Sequence, residues 1–173
     1  MTARGGARVL VGGVGQLYQG DLDAGRVLVE RLAAIDLGPG VAVEDLHYGA
    51  VAVAQRLDEL GVDALVLVGA ETRGRAPGSV ERRRVAAAGL GPQAAQAAQA
   101  AVSDAVTGYV GIDLVIEVAH ALGALPSRTV VIDVEPATTE PRDALSGAVA
   151  AALDDMVELV RHEVRALKGA TPP

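Results

Sequence analysis

The fold of this chain is decided by the stretch ARVLVGGVGQLYQGDLDAGRVLVERLAAI, residues 7–35. Its first part, residues 7–14, is short, apolar and bounded by glycine, which is typical of a strand buried on both faces. Residues 23–35 carry apolar side chains at helical spacing, with Asp23 as a candidate N-cap. A glycine-rich loop joins the two parts. The stretch therefore predicts a strand–loop–helix unit, the building block of a parallel α/β sheet.

The same alternation continues along the chain. Further strands are predicted over residues 41–49, 62–70 and 128–136, with a charged edge strand over residues 78–85. Helices are predicted over residues 50–61, 92–106 and 111–123, and along a C-terminal segment with one apolar stripe from Leu145 to Leu167. We therefore predict a three-layer α/β/α fold: a mostly parallel twisted sheet of about five strands with an antiparallel edge strand, and helices on both faces. A single domain over residues 1–170 would be followed by a short tail, residues 171–173.

The glycine-rich loop lies at the carboxyl end of the first strand, where sheets of this kind bind ligands. Its sequence fits no phosphate-binding motif. Tyr18 stands where G-x-G-x-x-G has its third glycine, and Asp21 stands where a Walker A loop has its lysine. The negative charges of Asp21 and Asp23 would repel phosphate. A nucleotide-binding, flavodoxin-like module is therefore only an outside alternative.

Composition restricts the classes of function. The chain has 173 residues, no cysteine and a formal net charge of -7. Without cysteine there is no disulfide, thiolate metal ligand or cysteine nucleophile, and the acidic balance disfavours nucleic acid as a partner. No serine has the G-x-S-x-G context of serine hydrolases. No segment is apolar enough to span a membrane or to act as a signal peptide, so we predict a cytoplasmic protein.

Three segments together suggest a family. They are the opening stretch, the segment Ala76-Pro77-Gly78-Ser79 after the third strand, and GIDLVIEVAHALGALPSRTVVIDVEPAT at residues 111–138. In order and spacing the chain resembles the hydrogenase maturation endopeptidases over nearly its whole length. Members of that family trim a C-terminal peptide from the large subunit of nickel-iron hydrogenase, and sense the nickel loaded there with two carboxylates and a histidine. The resemblance implies a twisted sheet between helices, a hydrogenase large subunit as partner, and nickel sensed in that partner.

The positions that the resemblance assigns to metal ligands carry no ligand here. The first carboxylate position is Leu22, and the second, at the end of the third strand, is Gly69. The histidine is expected in the loop Gly108–Val110, which contains none. Gln16 replaces the asparagine of the opening motif. Because leucine and glycine cannot coordinate a metal, the family chemistry is either lost or moved.

Three nearby residues are candidates for a relocated metal site. Asp23 adjoins the first position, Glu71 lies two residues beyond the second, and His47 ends the second strand at the same edge of the sheet. Two carboxylates and one imidazole suit a divalent metal. The alternative interpretation is structural: an N-cap, a solvated loop acid and a strand-end histidine.

The three tyrosines of the chain, Tyr18, Tyr48 and Tyr109, fall in loops at the predicted carboxyl edge of the sheet. Tyr109 stands where the family histidine is expected. Since tyrosine suits interfaces and pocket rims, we predict that these rings, with Gln16 and Asp21, line the cleft and bind a partner. The alternative is that tyrosines are simply common at strand ends.

Two functions remain open. In the first, the protein keeps the family fold without catalysis, and acts as a binding or assembly factor for the hydrogenase large subunit or another protein. In the second, it is an active maturation endopeptidase that uses the relocated site of Asp23, Glu71 and His47.

Overall fold

The computed structural model describes residues 8–86, 96, 99, 103 and 110–169. Its strands are Val9–Gly13 (β1), Val41–Asp45 (β2), Ala64–Ala70 (β3), Val80–Arg84 (β4) and Arg128–Val134 (β5). Its helices are Ala24–Ala33 (α1), Ala50–Leu60 (α2), Ile112–Ala121 (α3) and Gly147–Gly169 (α4), with a 3-10 helix over Gly20–Asp23. The helix predicted over residues 92–106 lies outside the described residues, except for Gln96, Gln99 and Ser103, which are helical.

The strands form one sheet in the order β2-β1-β3-β5-β4. All neighbours are parallel except β4, which runs antiparallel to β5 at one edge. The predicted mostly parallel sheet with an antiparallel edge strand is confirmed. The second strand ends at Asp45 instead of residue 49. Leu46 N–H still donates to the Gly13 carbonyl at the end of β1 (2.8 Å), and the chain then turns into α2, which begins at Ala50.

Two apolar clusters lie on opposite faces of the sheet, which confirms the three layers. Helices α1 and α4 bury their apolar stripes on one face, and α2 and α3 bury theirs on the other. Every residue of β3, the central strand, is buried. Because the chain has no Phe or Trp, these clusters are built mainly from Val, Leu, Ile and Ala. In the described part of the chain, no helix has both the length and the apolar character needed to cross a membrane.

The switch point of the sheet lies between β1 and β3, because the chain leaves β1 towards β2 on one side and then crosses to β3 on the other. Helix α1 begins almost in contact with this point. A Cβ atom on Gly25 would collide with the Val14 carbonyl oxygen and would lie 2.5 Å from that of Val68. Only glycine permits this approach, which places the glycine-rich loop over the carboxyl ends of the two strands.

Candidate functional site

The candidate site is the carboxyl edge of the sheet, formed by the loops that follow β1, β2, β3 and β5. Leu22, which the resemblance assigns to the first metal-ligand position, lies beside the core. Its side chain is partly buried and packs against the cluster beneath α1 and α4. This position therefore contributes apolar packing instead of a charge aimed into the cleft.

The second position, Gly69, has no room for a side chain. A Cβ atom on Gly69 would lie 2.7 Å from the Val14 carbonyl oxygen and 2.9 Å from Ile112 Cδ1. Both distances are shorter than Cβ contacts in real proteins. The backbone after β1 and the first side chain of α3 therefore fill the space in which a carboxylate would stand.

The third position, the loop Gly108–Val110, lies outside the described residues except for Val110. That residue is partly buried and packs against the cluster beneath α2 and α3. The predicted site residue Tyr109 also lies outside the described part.

Asp21, predicted to line the cleft, is a fully buried anchor between two loops. Its carboxylate accepts the backbone N–H groups of Ala137 (2.8 Å), Thr138 (3.3 Å) and Ser146 (2.6 Å). Two backbone bonds join the same two loops: Gly20 N–H donates to the Arg142 carbonyl, and Arg142 N–H donates to the Tyr18 carbonyl. We call these bonds, together with those to Asp21, the loop clasp. The loop after β5 is thereby fixed to the glycine-rich loop.

Asp23 stands at the N-cap position of α1, but the predicted side-chain cap is wrong. The buried carboxylate makes no hydrogen bond to the helix backbone and instead accepts Arg26 Nε at 2.8 and 2.9 Å. A guanidinium one turn away offers a charged, bidentate partner, which is stronger than a single backbone N–H. Burial raises the pKa of Asp23, and the bond from Arg26 opposes that rise.

Glu71 is partly buried and caps a helix, so its interpretation as a solvated loop acid is wrong. Its Oε1 accepts the N–H of Ile112, the first residue of α3, at 2.5 Å. Burial raises the pKa of Glu71, and the Ile112 N–H opposes the rise. Glu71 thus fixes the start of α3 beside the closed position at Gly69.

His47 is exposed on the loop between β2 and α2. Its Nδ1 lies 3.3 Å from Asp45 Oδ2, and its ring meets the Tyr48 ring edge-on, with 5.5 Å between centroids. The other oxygen of the Asp45 carboxylate, Oδ1, is buried and has no hydrogen-bond partner among the described residues.

Each of the three candidate ligands already has another partner: Asp23 binds Arg26, Glu71 binds the Ile112 N–H, and His47 lies beside Asp45. Within residues 8–86 and 110–169, no group of three or more His, Cys, Asp or Glu side chains is arranged to hold a metal ion. The relocated site stays a prediction, and it requires Asp23 and Glu71 to leave Arg26 and Ile112.

Two buried carboxylates that the sequence analysis did not single out lie at the end of β5. Glu135 accepts the N–H groups of Arg73 (2.8 Å) and Gly74 (3.1 Å) and Nε of Arg75 (3.2 Å). Asp133 accepts Nη2 of the same Arg75. Their signal in the sequence was the acidic pair inside the apolar run VVIDVEP. Together they fix the loop that follows β3.

A third carboxylate extends this arginine–carboxylate network across to α3. Asp113 accepts both terminal nitrogens of Arg73 (2.7 and 2.9 Å) and Nη2 of Arg83 (2.6 Å). The bonds from Arg73 hold the pKa of Asp113 below its usual value. Arg83 on the edge strand β4 thus also holds α3.

The loop after β1 presents two exposed side chains. Leu17 is 50% exposed and Tyr18 is 63% exposed, while Gln16 beside them is partly buried. Tyr18 has a φ of 65°, a left-handed conformation that is rare for a bulky residue. Tyr48 packs partly against the cluster beneath α2 and α3. The predicted grouping of the three tyrosines stays a prediction.

No protein-family model matches this sequence, and no curated protein matches it, but solved structures do. A hydrogenase 2 maturation peptidase from a Thaumarchaeota archaeon is 25% identical, with a TM-score of 0.66 over 91% of this chain and 98% of that one. The hydrogenase maturating endopeptidase HybD from E. coli is 23% identical, with a TM-score of 0.68 over 92% and 93%. The [NiFe] hydrogenase maturation protease HycI from Thermococcus kodakarensis is 16% identical, with a TM-score of 0.62 over 94% and 95%. The chain therefore has the fold of the hydrogenase maturation endopeptidases over nearly its whole length, as its sequence predicted.

Proposed function

We propose that this protein is a hydrogenase maturation protease-like binding or assembly factor that does not carry out metal-dependent cleavage. Its proposed partner is the large subunit of a nickel-iron hydrogenase, with any nickel held by that partner. As predicted from the sequence, it would act in the cytoplasm.

The observation that carries this proposal is the closed space at Gly69. A carboxylate at this position would have to displace the Val14 carbonyl, which is backbone, and the buried side chain of Ile112. Leu22, at the other carboxylate position, is partly buried and packs against the core. Regaining the family's ligands would therefore require repacking, because substitution alone would overfill this edge.

The same edge suits binding because its loops are held in place. Asp21 holds the loop after β5, Glu135 holds the loop after β3, and Glu71 holds the start of α3. A surface that is already ordered loses less conformational entropy when a partner docks. The buried carboxylates at this edge thus support a fixed platform for a protein partner.

The direct test is to mix the purified protein with a nickel-loaded large-subunit precursor that retains its C-terminal extension. We expect a complex in size-exclusion chromatography and an unchanged intact mass of the precursor. An active maturation protease, run in parallel, shows that the precursor is competent for cleavage. Loss of the extension in the presence of this protein would overturn the absence of cleavage, and failure to form a complex would overturn the binding role.

One observation favours the second candidate, an active endopeptidase with the relocated site. Asp45 Oδ2 lies 3.3 Å from His47 Nδ1. Burial is the main cause of the raised pKa of Asp23, and the charge of Asp45 adds to it. Two of the predicted ligands, Asp23 and His47, therefore lie near the Asp45 carboxylate. A calorimetric titration with nickel tests this candidate on the wild type, Asp23→Ala and His47→Ala, with Asp154→Ala on α4 as the control. A nickel affinity that falls about tenfold, roughly 1.4 kcal/mol, in Asp23→Ala and His47→Ala but not in Asp154→Ala would support this candidate. Our proposal expects no such difference.

A further inference from the structure

We propose that the carboxyl edge beside β1 and β2 carries a docking surface for a partner segment that combines apolar and basic side chains. The surface consists of Leu17, Tyr18, Asp45, His47, Tyr48 and Val51. This inference rests on the proposed function, since it specifies how a protein partner is recognised.

Exposed apolar side chains concentrate at this edge. Three of the four large apolar residues that are exposed in the described part of the chain are Leu17, Tyr18 and Val51. Leu17 and Tyr18 follow β1, and Val51 is the second residue of α2, which follows β2; β1 and β2 are neighbouring parallel strands whose carboxyl ends share one edge. The fourth, Leu122, follows α3 at the opposite end of the sheet. Single exposed apolar residues are ordinary, but a concentration of them marks an interaction site.

The backbone presents one of these side chains under strain. Tyr18 keeps its left-handed φ of 65° while its carbonyl accepts Arg142 N–H and the loop clasp holds the residues after it. Such a conformation costs about 1–3 kcal/mol and persists only where surrounding contacts enforce it. The strain is not repaid by burial of the ring, which is 63% exposed. A preformed contact for a partner accounts for that cost.

The charges around the surface are mostly negative. Arg26 is paired with Asp23, and Arg56 on α2 is paired with Glu44 and Glu59, so these two cations are already matched by carboxylates. Glu30 adds another carboxylate through Arg26. Carboxylates thus outnumber arginines here, and the whole chain is acidic, with a net charge of -7. A segment with lysine or arginine is drawn to such a surface, and an acidic segment is repelled.

One carboxylate at this surface is accessible to a partner. Asp45 is 31% exposed, and its Oδ2 lies 3.3 Å from Nδ1 of the exposed His47. Because Oδ1 is buried, a partner would reach this carboxylate through Oδ2. A lysine or arginine supplies both the N–H and the complementary charge. Asp45 is therefore the point at which a basic side chain of the partner would be held.

Fluorescence anisotropy with labelled synthetic peptides tests this surface independently of any hydrogenase. The probe is a short peptide of leucine, lysine and glycine, with matched peptides in which every lysine is glutamate or every leucine is serine. We expect the full-length protein to bind the first peptide and to bind both matched peptides at least about tenfold more weakly. Binding should also weaken as salt is added, because exposed charges are screened.

Variants locate the binding. Asp45→Asn keeps the shape of the side chain and Tyr18→Asn keeps a residue that tolerates positive φ, so both should fold and bind the probe at least about fivefold more weakly. Asp155→Asn on α4 and Leu122→Ser make the same kinds of change away from the surface and should bind as the wild type does. No binding by the wild type, or equal weakening in the controls, overturns the surface. Capture of the large-subunit precursor is measured separately, and its failure overturns the binding role under the proposed function.

Discussion

Gly69 and Ile112 compete for one space at the carboxyl edge of the sheet. Ile112 Cδ1 stands 2.9 Å from the point where a Cβ atom on Gly69 would lie, and the Val14 carbonyl oxygen stands 2.7 Å from it. Ile112 is fully buried, and its N–H is bound by Glu71, so its position is fixed on both sides. The absence of a side chain at residue 69 is therefore a requirement of this packing.

Gly69→Ala should destabilise the protein by about 1–3 kcal/mol, because the added methyl group overfills a packed site. Urea unfolding followed by circular dichroism measures the difference in the free energy of unfolding. Gly147→Ala is the matched control. It adds the same atom at the start of α4, where no atom of the described residues lies within 4 Å, and should be neutral or slightly stabilising. Equal stability of Gly69→Ala and the wild type would show that the space is open.

The fold could be predicted because its signals are local. The run VDALVLVGA is apolar enough to identify β3 as a strand, and the apolar stripe from Leu145 to Leu167 identifies α4. These patterns follow from the periods of strands and helices, and they need no knowledge of distant residues.

The candidate site could be predicted only in part, because its partners are far apart in the chain. Asp21 was placed at the correct edge, but its bonds to residues 137–146 span more than a hundred positions. Asp23 was predicted to cap α1, and its choice of Arg26 depends on side-chain geometry. Glu135 was not singled out at all, since nothing near it in sequence shows that it receives the loop after β3.

Asp21→Ala should lower the free energy of unfolding by about 2–4 kcal/mol, because it removes the buried carboxylate that accepts three backbone N–H groups. Hydrogen exchange should become faster at Ala137 and Ser146, whose N–H groups bind this carboxylate. Asp154→Ala removes an acid that is 91% exposed and paired with Arg31, and should change stability by less than about 1 kcal/mol. Unchanged exchange in the loop after β5 would contradict the anchoring role of Asp21.

Asp113→Asn should be less stable than the wild type at neutral pH, and the difference should disappear in acid. Arg73 and Arg83 hold the pKa of folded Asp113 below its unfolded value of about 3.9. The carboxylate therefore contributes stability above that value, which is lost as the pH falls through the lower, folded pKa. Urea unfolding over a series of pH values measures the difference. A difference that persists unchanged in strong acid would show that charge is not its source.

The stability of Glu71→Gln relative to the wild type should depend on pH in the opposite direction to that of Asp113→Asn. Burial raises the pKa of folded Glu71 above its unfolded value of about 4.3, so the wild type loses stability as the pH rises through the raised pKa. Glutamine never ionises and keeps an oxygen that can accept the Ile112 N–H. The stability of Glu71→Gln relative to the wild type should therefore increase with pH and then level off. A relative stability that is constant across the same pH series would exclude a raised pKa.

Tyr18→Gly should stabilise the protein by about 0.5–1 kcal/mol, because glycine adopts the φ of 65° without strain and the exposed ring contributes little packing. Part of the relief is offset by the greater freedom of glycine in the unfolded chain. Tyr18→Ala is the matched control: it removes the ring but keeps a Cβ atom in the left-handed conformation, so it should give no gain. Thermal and urea unfolding of the two variants separate the contributions of backbone and ring. If alanine stabilises as much as glycine, the cost lies in exposing the ring and the backbone is not strained. If only glycine does, the loop holds Tyr18 in a conformation that the fold alone does not favour, as a preformed contact for a partner requires.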